Sequence, residues 1–269
     1  MNTQNNQSED AITVSDAQIV VYEQDKAQID IQISTAKAYP RNVKRSVENS
    51  VAIVTLSKAT AQTCTYAVPR AGKSISGPSV HLARILAQNW GNMRIEARVK
   101  TVEEKTITSE AIAFDLENNL AIKVEVKRSI MTKTGRMSDD MITVTGNAAN
   151  AIALRNAIYG IIPKGVVDTV YDAAKSTIIG NVDDENALIA RRKAVFDEFK
   201  NEYNVSEKEV LAAIGKPSIS TVTKDDIVVI VGIWQAIKDG DTTVDDAFKR
   251  TIPKKDEMKQ NGATKIDLP

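Results

Sequence analysis

The sequence predicts an α+β protein: a β-hairpin plus a three-stranded antiparallel meander packed with helices, a β-β-α-β-β-β-α core, followed by a C-terminal helical module. Three observations predict it. Residues 92–100 and 119–127 alternate apolar and charged side chains, the pattern of strands with one buried face. Between them TITSEAIAF at 106–114 reads as a middle strand, and the connectors TVEEK and DLENN suit antiparallel turns. From about residue 186 the apolar pattern is helical throughout.

Each element follows from local chemistry. Residues 1–15, rich in Asn, Gln and Ser and poor in large apolar residues, are expected to be disordered. Residues 16–39 contain AQIDIQIS, compatible with strand and with helix. Residues 41–58, RNVKRSVENSVAIVTLSK, read as a helix with a basic first turn. In TCTYAVPRAGKSISG, Tyr66-Ala67-Val68-Pro69 forms one hairpin arm and Ser74-Ile75-Ser76 the return, with Gly72 at the turn. Gly77-Pro78-Ser79 opens a helix that runs to about Trp90, with Pro78 tolerated in the first turn. Leu82, Ile85, Leu86 and Trp90 share one face of it, and His81, Arg84 and Gln88 the other.

In the meander, Met93, Ile95, Ala97 and Val99 oppose Arg94, Glu96, Arg98 and Lys100. Leu120, Ile122, Val124 and Val126 likewise oppose Lys123, Glu125 and Lys127. A charged loop, MTKTGRMSDDM, leads to a helix over 147–162 that Pro163 ends. Farther on, Ser206 with Glu209 and Thr223 with Asp226 have the spacing of helix caps, and Gly215 that of a helix stop. A short helix over 244–248 comes last. The expected divisions are a disordered N-terminus at 1–15, a core at 16–180, a helical module at 186–250 and a flexible tail at 251–269.

The chain has 269 residues, 42% of them hydrophobic and 4% aromatic, so a sizeable core must be built mainly from Ile, Val, Leu and Ala. Cys64 is the single cysteine, which excludes an internal disulfide and suits a reducing compartment. The polar start MNTQNNQSED lacks a signal pattern. The longest apolar run, IVVIVGIW at 227–234, is too short to span a bilayer and reads as a buried helix. A cytoplasmic location is the expectation.

Net charge is zero but unevenly spread. Residues 1–39 carry −4, residues 40–165 hold 18 basic and 10 acidic side chains, and residues 166–269 carry −4. A basic middle between acidic flanks fits a polyanion surface, and equally an ordinary protein surface.

Catalytic patterns are missing. Gly72-Lys73-Ser74 invites a phosphate-loop reading, but position 67 is Ala where that loop needs Gly, and Pro69 removes a backbone donor. With His81 and Cys64 the only residues of their types, no zinc site and no Cys–His or Ser–His engine assembles. Asp139-Asp140 and Asp183-Asp184 could ligate a hard cation but lack a clear third ligand. The expectation is a protein that is not an enzyme and takes no cofactor.

Binding chemistry remains. Arg94, Arg98, Lys100, Lys123 and Lys127 lie on the outward strand faces. Arg128, Lys133 and Arg136 extend the positive charge, Arg70 and Lys73 sit on the hairpin, and Arg84 and Arg155 on helices. Such groups suit sequence-independent phosphate contact. Tyr66 could stack on a base, whereas Trp90 belongs to the apolar stripe.

The stretch TYAVPRAGKSISGPSVHLARILAQNWGNMRIEARV resembles the middle of the phage RecT/Redβ single-strand annealing proteins. NAANAIALRNAIYGIIP resembles the helix that closes their core, and the segment near 187–248 is similar to the tails of phage-borne proteins in this group. The likeness spans roughly residues 40–165. It implies ATP-independent binding and annealing of complementary single strands in phage homologous recombination, in the bacterial host cytoplasm. It also implies a homo-oligomeric ring or helical filament with DNA in a continuous basic groove. The expected partners are single-stranded DNA, the annealed duplex intermediate and further copies of the chain. A phage exonuclease or host single-strand-binding protein would be met through the C-terminal module. The DNA-binding residues it implies are Arg70, Lys73, Arg84, Lys127, Arg128, Lys133, Arg136 and Arg155, with Tyr66 beside them. A plain single-strand-binding protein without annealing activity, a structural or oligomeric phage protein, and an enzyme using the acidic pairs with a metal are the rival readings.

Overall fold

The computed structural model describes residues 16–70, 73–180, 182 and 184–249, excepting the side chains of 16–18, 70 and 73. The expectations for residues 1–15, Gly72, Asp183 and the tail 251–269 lie outside the described residues. In chain order the elements are α1 (Asp16–Ala38), α2 (Val43–Val54), α3 (Lys58–Thr63), β1 (Thr65–Arg70), β2 (Lys73–Pro78), α4 (Val80–Trp90), β3 (Met93–Val102), β4 (Thr106–Asp115) and β5 (Leu120–Ser129). Then come β6 (Met131–Thr132), β7 (Gly135–Arg136), α5 (Asp139–Ile161), α6 (Lys164–Ile179), α7 (Glu185–Tyr203), α8 (Glu207–Ile214), α9 (Lys224–Lys238) and α10 (Val244–Phe248). The protein is mixed α+β, with small antiparallel sheets and a helical C-terminal region.

The alternating stretches are the outer strands of one antiparallel sheet, ordered β3-β4-β5. Its register sets Arg98 opposite Glu110, and Glu110 opposite Glu125. Ala111 pairs with Ala97 and Val124 on the other face. There α5 packs: Ala153, Ala157 and Ile161 meet Ala111 and Ala113, flanked by Ile122, Val124 and Val126. Small side chains on both elements let the helix lie close. A Cβ on Gly160 of α5 would stand 2.8 Å from Ile122 Cδ1.

Beside this layer, β1 and β2 pair as a hairpin in which Tyr66 faces Gly77 and Arg70 faces Lys73. The Ser79 hydroxyl then caps α4, accepting from the His81 and Leu82 N–H groups. Ser206 and Thr223 form complete capping boxes at α8 and α9, and Gly215 ends α8 in the left-handed region at φ 69.

The expected boundary near 186 does not separate two cores. Val195, Phe199, Ile227, Ile230 and Ile233 share one buried cluster with Val54, Leu82, Leu86 and Ile158. The cause lies in the run IVVIVGIW: α9 is apolar on nearly every side and must be covered all round. One side is covered by β1. A Cβ on Gly232 would fall 2.8 Å from the Tyr66 carbonyl carbon and 2.9 Å from the Ala67 nitrogen, so only glycine fits.

Other local expectations are revised. Of the two conformations left open for 16–39, helix is the one adopted, as α1 over 16–38. The segment 41–58 breaks into α2 and α3, because the Ser57 side chain caps α3 by accepting from the Thr60 N–H. The loop after β5 contains the small hairpin β6–β7. Helix α5 begins at Asp139 rather than 147, which puts Asp139 and Asp140 in its first turn, where the helix dipole favours acids. Pro163 ends α5 but is also the N-terminal flank of α6, a helix the periodicity reading passed over. Arg41 is tied to the sheet end by ion pairs with Asp115 and Glu117 and lies 4.9 Å from the Trp90 ring centroid. Among the described residues no helix is long and apolar enough to cross a membrane, and no group of three or more His, Cys, Asp or Glu could hold a metal ion.

Candidate nucleic-acid interface

A cleft of about 780 Å³ opens where the β1–β2 hairpin, β5, α5 and the α9–α10 connection meet. Its wall carries Tyr66, Lys127, Arg128 and Arg155 over apolar Val68, Ile75, Val126 and Ile152. Each cation reaches it for a separate local reason. Strand alternation sends Val126 and Arg128 to the α5 side of the sheet, since Arg128 pairs with buried Ile107. Arg155 projects from α5 three residues after Ile152. Its guanidinium stands 4.3 Å from the centroid of the Tyr66 ring, and its Nε and Nη2 donate to Asn156 Oδ1, both at 3.2 Å. The stack occupies one face of the Tyr66 ring.

The remaining expected residues divide. Arg70 and Lys73 pair across the hairpin whose Val68, Pro69 and Ile75 line the cleft, and their side chains lie outside the described residues. Lys127 borders the cleft, but its Nζ lies 3.0 Å from Glu103 Oε2, on the open sheet face. Arg136 donates from Nη1 to the Glu103 and Glu104 carbonyls at 3.1 and 3.0 Å, which fastens β7 to the β3–β4 turn. Lys133 is exposed in the β6–β7 turn. Arg84 lies elsewhere, in a second cleft of about 730 Å³ on another face of α5, with Gln88, Met93, Asn147, Asn150 and Leu154.

The outward sheet cations are largely neutralised within the protein. Glu110, 2% exposed, receives Lys123 at 2.7 Å, Arg98 at 3.3 Å and Lys100 at 3.4 Å. The hydrogen bond from Lys123, aided by Lys100, holds its carboxyl down at about 2. Glu125 pairs with Lys100, and Glu96 with Arg94. Cys64 is buried, which pushes its thiol up to about 11 and leaves it a packing residue.

The cleft also holds acids that sequence reasoning missed. Asp241 and Asp246 line it from the α9–α10 side. Burial and the neighbouring Asp239 raise the Asp241 carboxyl above its ordinary value, against the opposing pull of Arg128, Arg155 and His81. His81 itself is tied up, its Nε2 3.2 Å from Asp239 Oδ2. No local signal marks these acids, because Asp239-Gly240-Asp241 reads simply as the end of a helix. Only the packing of α9 on β1 brings them to the cations. No protein-family model, curated protein or solved structure matches the chain.

Proposed function

We propose that the chain binds single-stranded DNA through its phosphates and anneals complementary strands without nucleotide hydrolysis, acting as a homo-oligomer in the cytoplasm of a bacterial host. The observation that carries this reading is the convergence of Arg128 and Arg155, from two different elements, on one open cleft beside the Arg70–Lys73 hairpin end. Guanidinium groups held in place are suited to phosphate oxygens. The Tyr66–Arg155 stack favours contact with the backbone over base stacking, and leaves bases free to pair. Because pairing energy comes from the DNA itself, the activity requires no hydrolytic site. The order hairpin, α4, meander, α5 is the one that the RecT/Redβ resemblance implies.

Self-association is supported by α1, which exposes Ile19, Val20, Val21, Tyr22 and Ile31 to solvent. A helix with so many uncovered apolar residues is marginal by itself in water. The test is annealing of two complementary oligonucleotides without nucleotide, read by fluorescence, with electron microscopy of the same samples. Faster annealing together with rings or filaments supports the proposal. Tight single-strand binding without faster annealing would leave a coating protein instead, and no binding at all would leave a structural one.

A further inference from the structure

The acidic end of the cleft is tethered to α9 and α4 by a few contacts. The Asp241 and Thr242 N–H groups both donate to the Ala236 carbonyl, at 2.9 and 3.4 Å. Asp239 is gripped by Gln235 Nε2 at 2.7 Å and paired with His81 at 3.2 Å. At the start of α10, Thr243 Oγ1 donates to Asp246 Oδ2 at 2.9 Å. The connection from α9 to α10 is therefore fixed to the helix that packs against β1, not draped over the surface.

Asp241 differs from its neighbours. It is partly exposed at the cleft wall, and among the described residues no hydrogen bond or ion pair reaches its carboxylate. The charges it feels there are the cations Arg128, Arg155 and His81 and the acid Asp239. With an acid beside it and no ion pair of its own, this carboxylate contributes little to stability where it stands. What it does in that position is place negative charge where an anion would otherwise sit.

We propose that the α9–α10 connection is an autoinhibitory plug, in which Asp241, backed by Asp246, occupies the cationic cleft as a phosphate mimic that a bound polyanion must displace. The inference rests on reading the cleft as a phosphate-binding site. Displacement needs no unfolding of the core. The plug follows the last turn of α9, and its anchor, the His81–Asp239 pair, is partly exposed. The plug lowers affinity for isolated phosphates and favours a long strand that engages several cations at once.

The test compares the full chain with Asp241→Asn, with Asp241→Asn/Asp246→Asn, and with the control Asp245→Asn, which alters an exposed acid outside the cleft. Binding is read by fluorescence anisotropy with a labelled oligodeoxythymidine and, separately, with a labelled heparin fragment. The expected result is about three- to tenfold tighter binding for Asp241→Asn, the effect of removing one close opposing charge. The double variant should bind more tightly still, and the control should match the parent. Folded variants that bind as the parent does, or a control that gains equally, would overturn the plug. If heparin binding tightens while no form binds the oligonucleotide, the plug stands and the nucleic-acid reading falls. If no form binds either probe, both fall.

Discussion

The guanidinium of Arg155 lies over the ring of Tyr66, 4.3 Å from its centroid, and so joins α5 to the β1–β2 hairpin at the mouth of the cationic cleft. This contact fixes the direction of the cation. Arg155→Ala is expected to weaken oligonucleotide binding about tenfold or more by removing a phosphate contact. Arg155→Lys should recover only part, because an ammonium cannot stack as a plane. Tyr66→Phe keeps the ring and should bind like the parent. Anisotropy titrations on the three variants check the ordering.

Neighbouring cations on β5 should behave differently. Arg128 faces the cleft, whereas the Lys127 Nζ is already paired with Glu103 on the opposite sheet face. Arg128→Glu is expected to reduce binding strongly and Lys127→Glu weakly. Arg136→Glu should lower thermal stability as well, since it removes the donor to the Glu103 and Glu104 carbonyls. Melting curves measured beside binding isotherms separate the two effects.

Glu110 gives the fold a pH dependence. Its carboxyl is held at about 2, below the ordinary 4.5, by Lys123 and Lys100. A depressed carboxylate contributes stability that is fully present above its unfolded value and lost as pH falls through its folded value. The parent should therefore lose stability between about pH 4.5 and 2, and Glu110→Gln should lose less over that range. Denaturant titrations of both proteins across the range test this. Curves that stay parallel would contradict it.

Gly232 tests whether the C-terminal helices belong to the core. With 2.8 Å between an added Cβ and the Tyr66 carbonyl carbon, Gly232→Ala must push α9 off β1. The expected loss is about 1–3 kcal/mol by urea denaturation. For the same reason a chain truncated near residue 186 should fail to fold, because it uncovers Leu82, Ile158 and their neighbours.

Much of the fold was legible where one physical rule acts locally. Strict alternation marked β3 and β5, and the Ser206 and Thr223 caps marked α8 and α9. The same alternation put Glu96, Glu110 and Glu125 on the face of Arg98, Lys100 and Lys123, so their mutual neutralisation was already implied by the pattern. Less legible was whatever depends on long-range packing. The one core shared by α9 and β1 rests on contacts between residues far apart in the chain, as does the meeting of Asp241 with Arg128 and Arg155. Residues 16–39 carried apolar side chains at both strand and helix spacings, and a helix that stands largely clear of the core has little packing to reveal its period.

In the proposed function, Arg128 and Arg155 form the surface on which strands are held for pairing. The most direct measurement is nucleotide-free annealing of complementary oligonucleotides by the parent and by Arg128→Glu/Arg155→Glu, with circular dichroism to confirm that both are folded. The parent is expected to accelerate annealing in a salt-sensitive way, while the folded double variant leaves the spontaneous rate unchanged. A folded double variant that anneals as fast as the parent would contradict it.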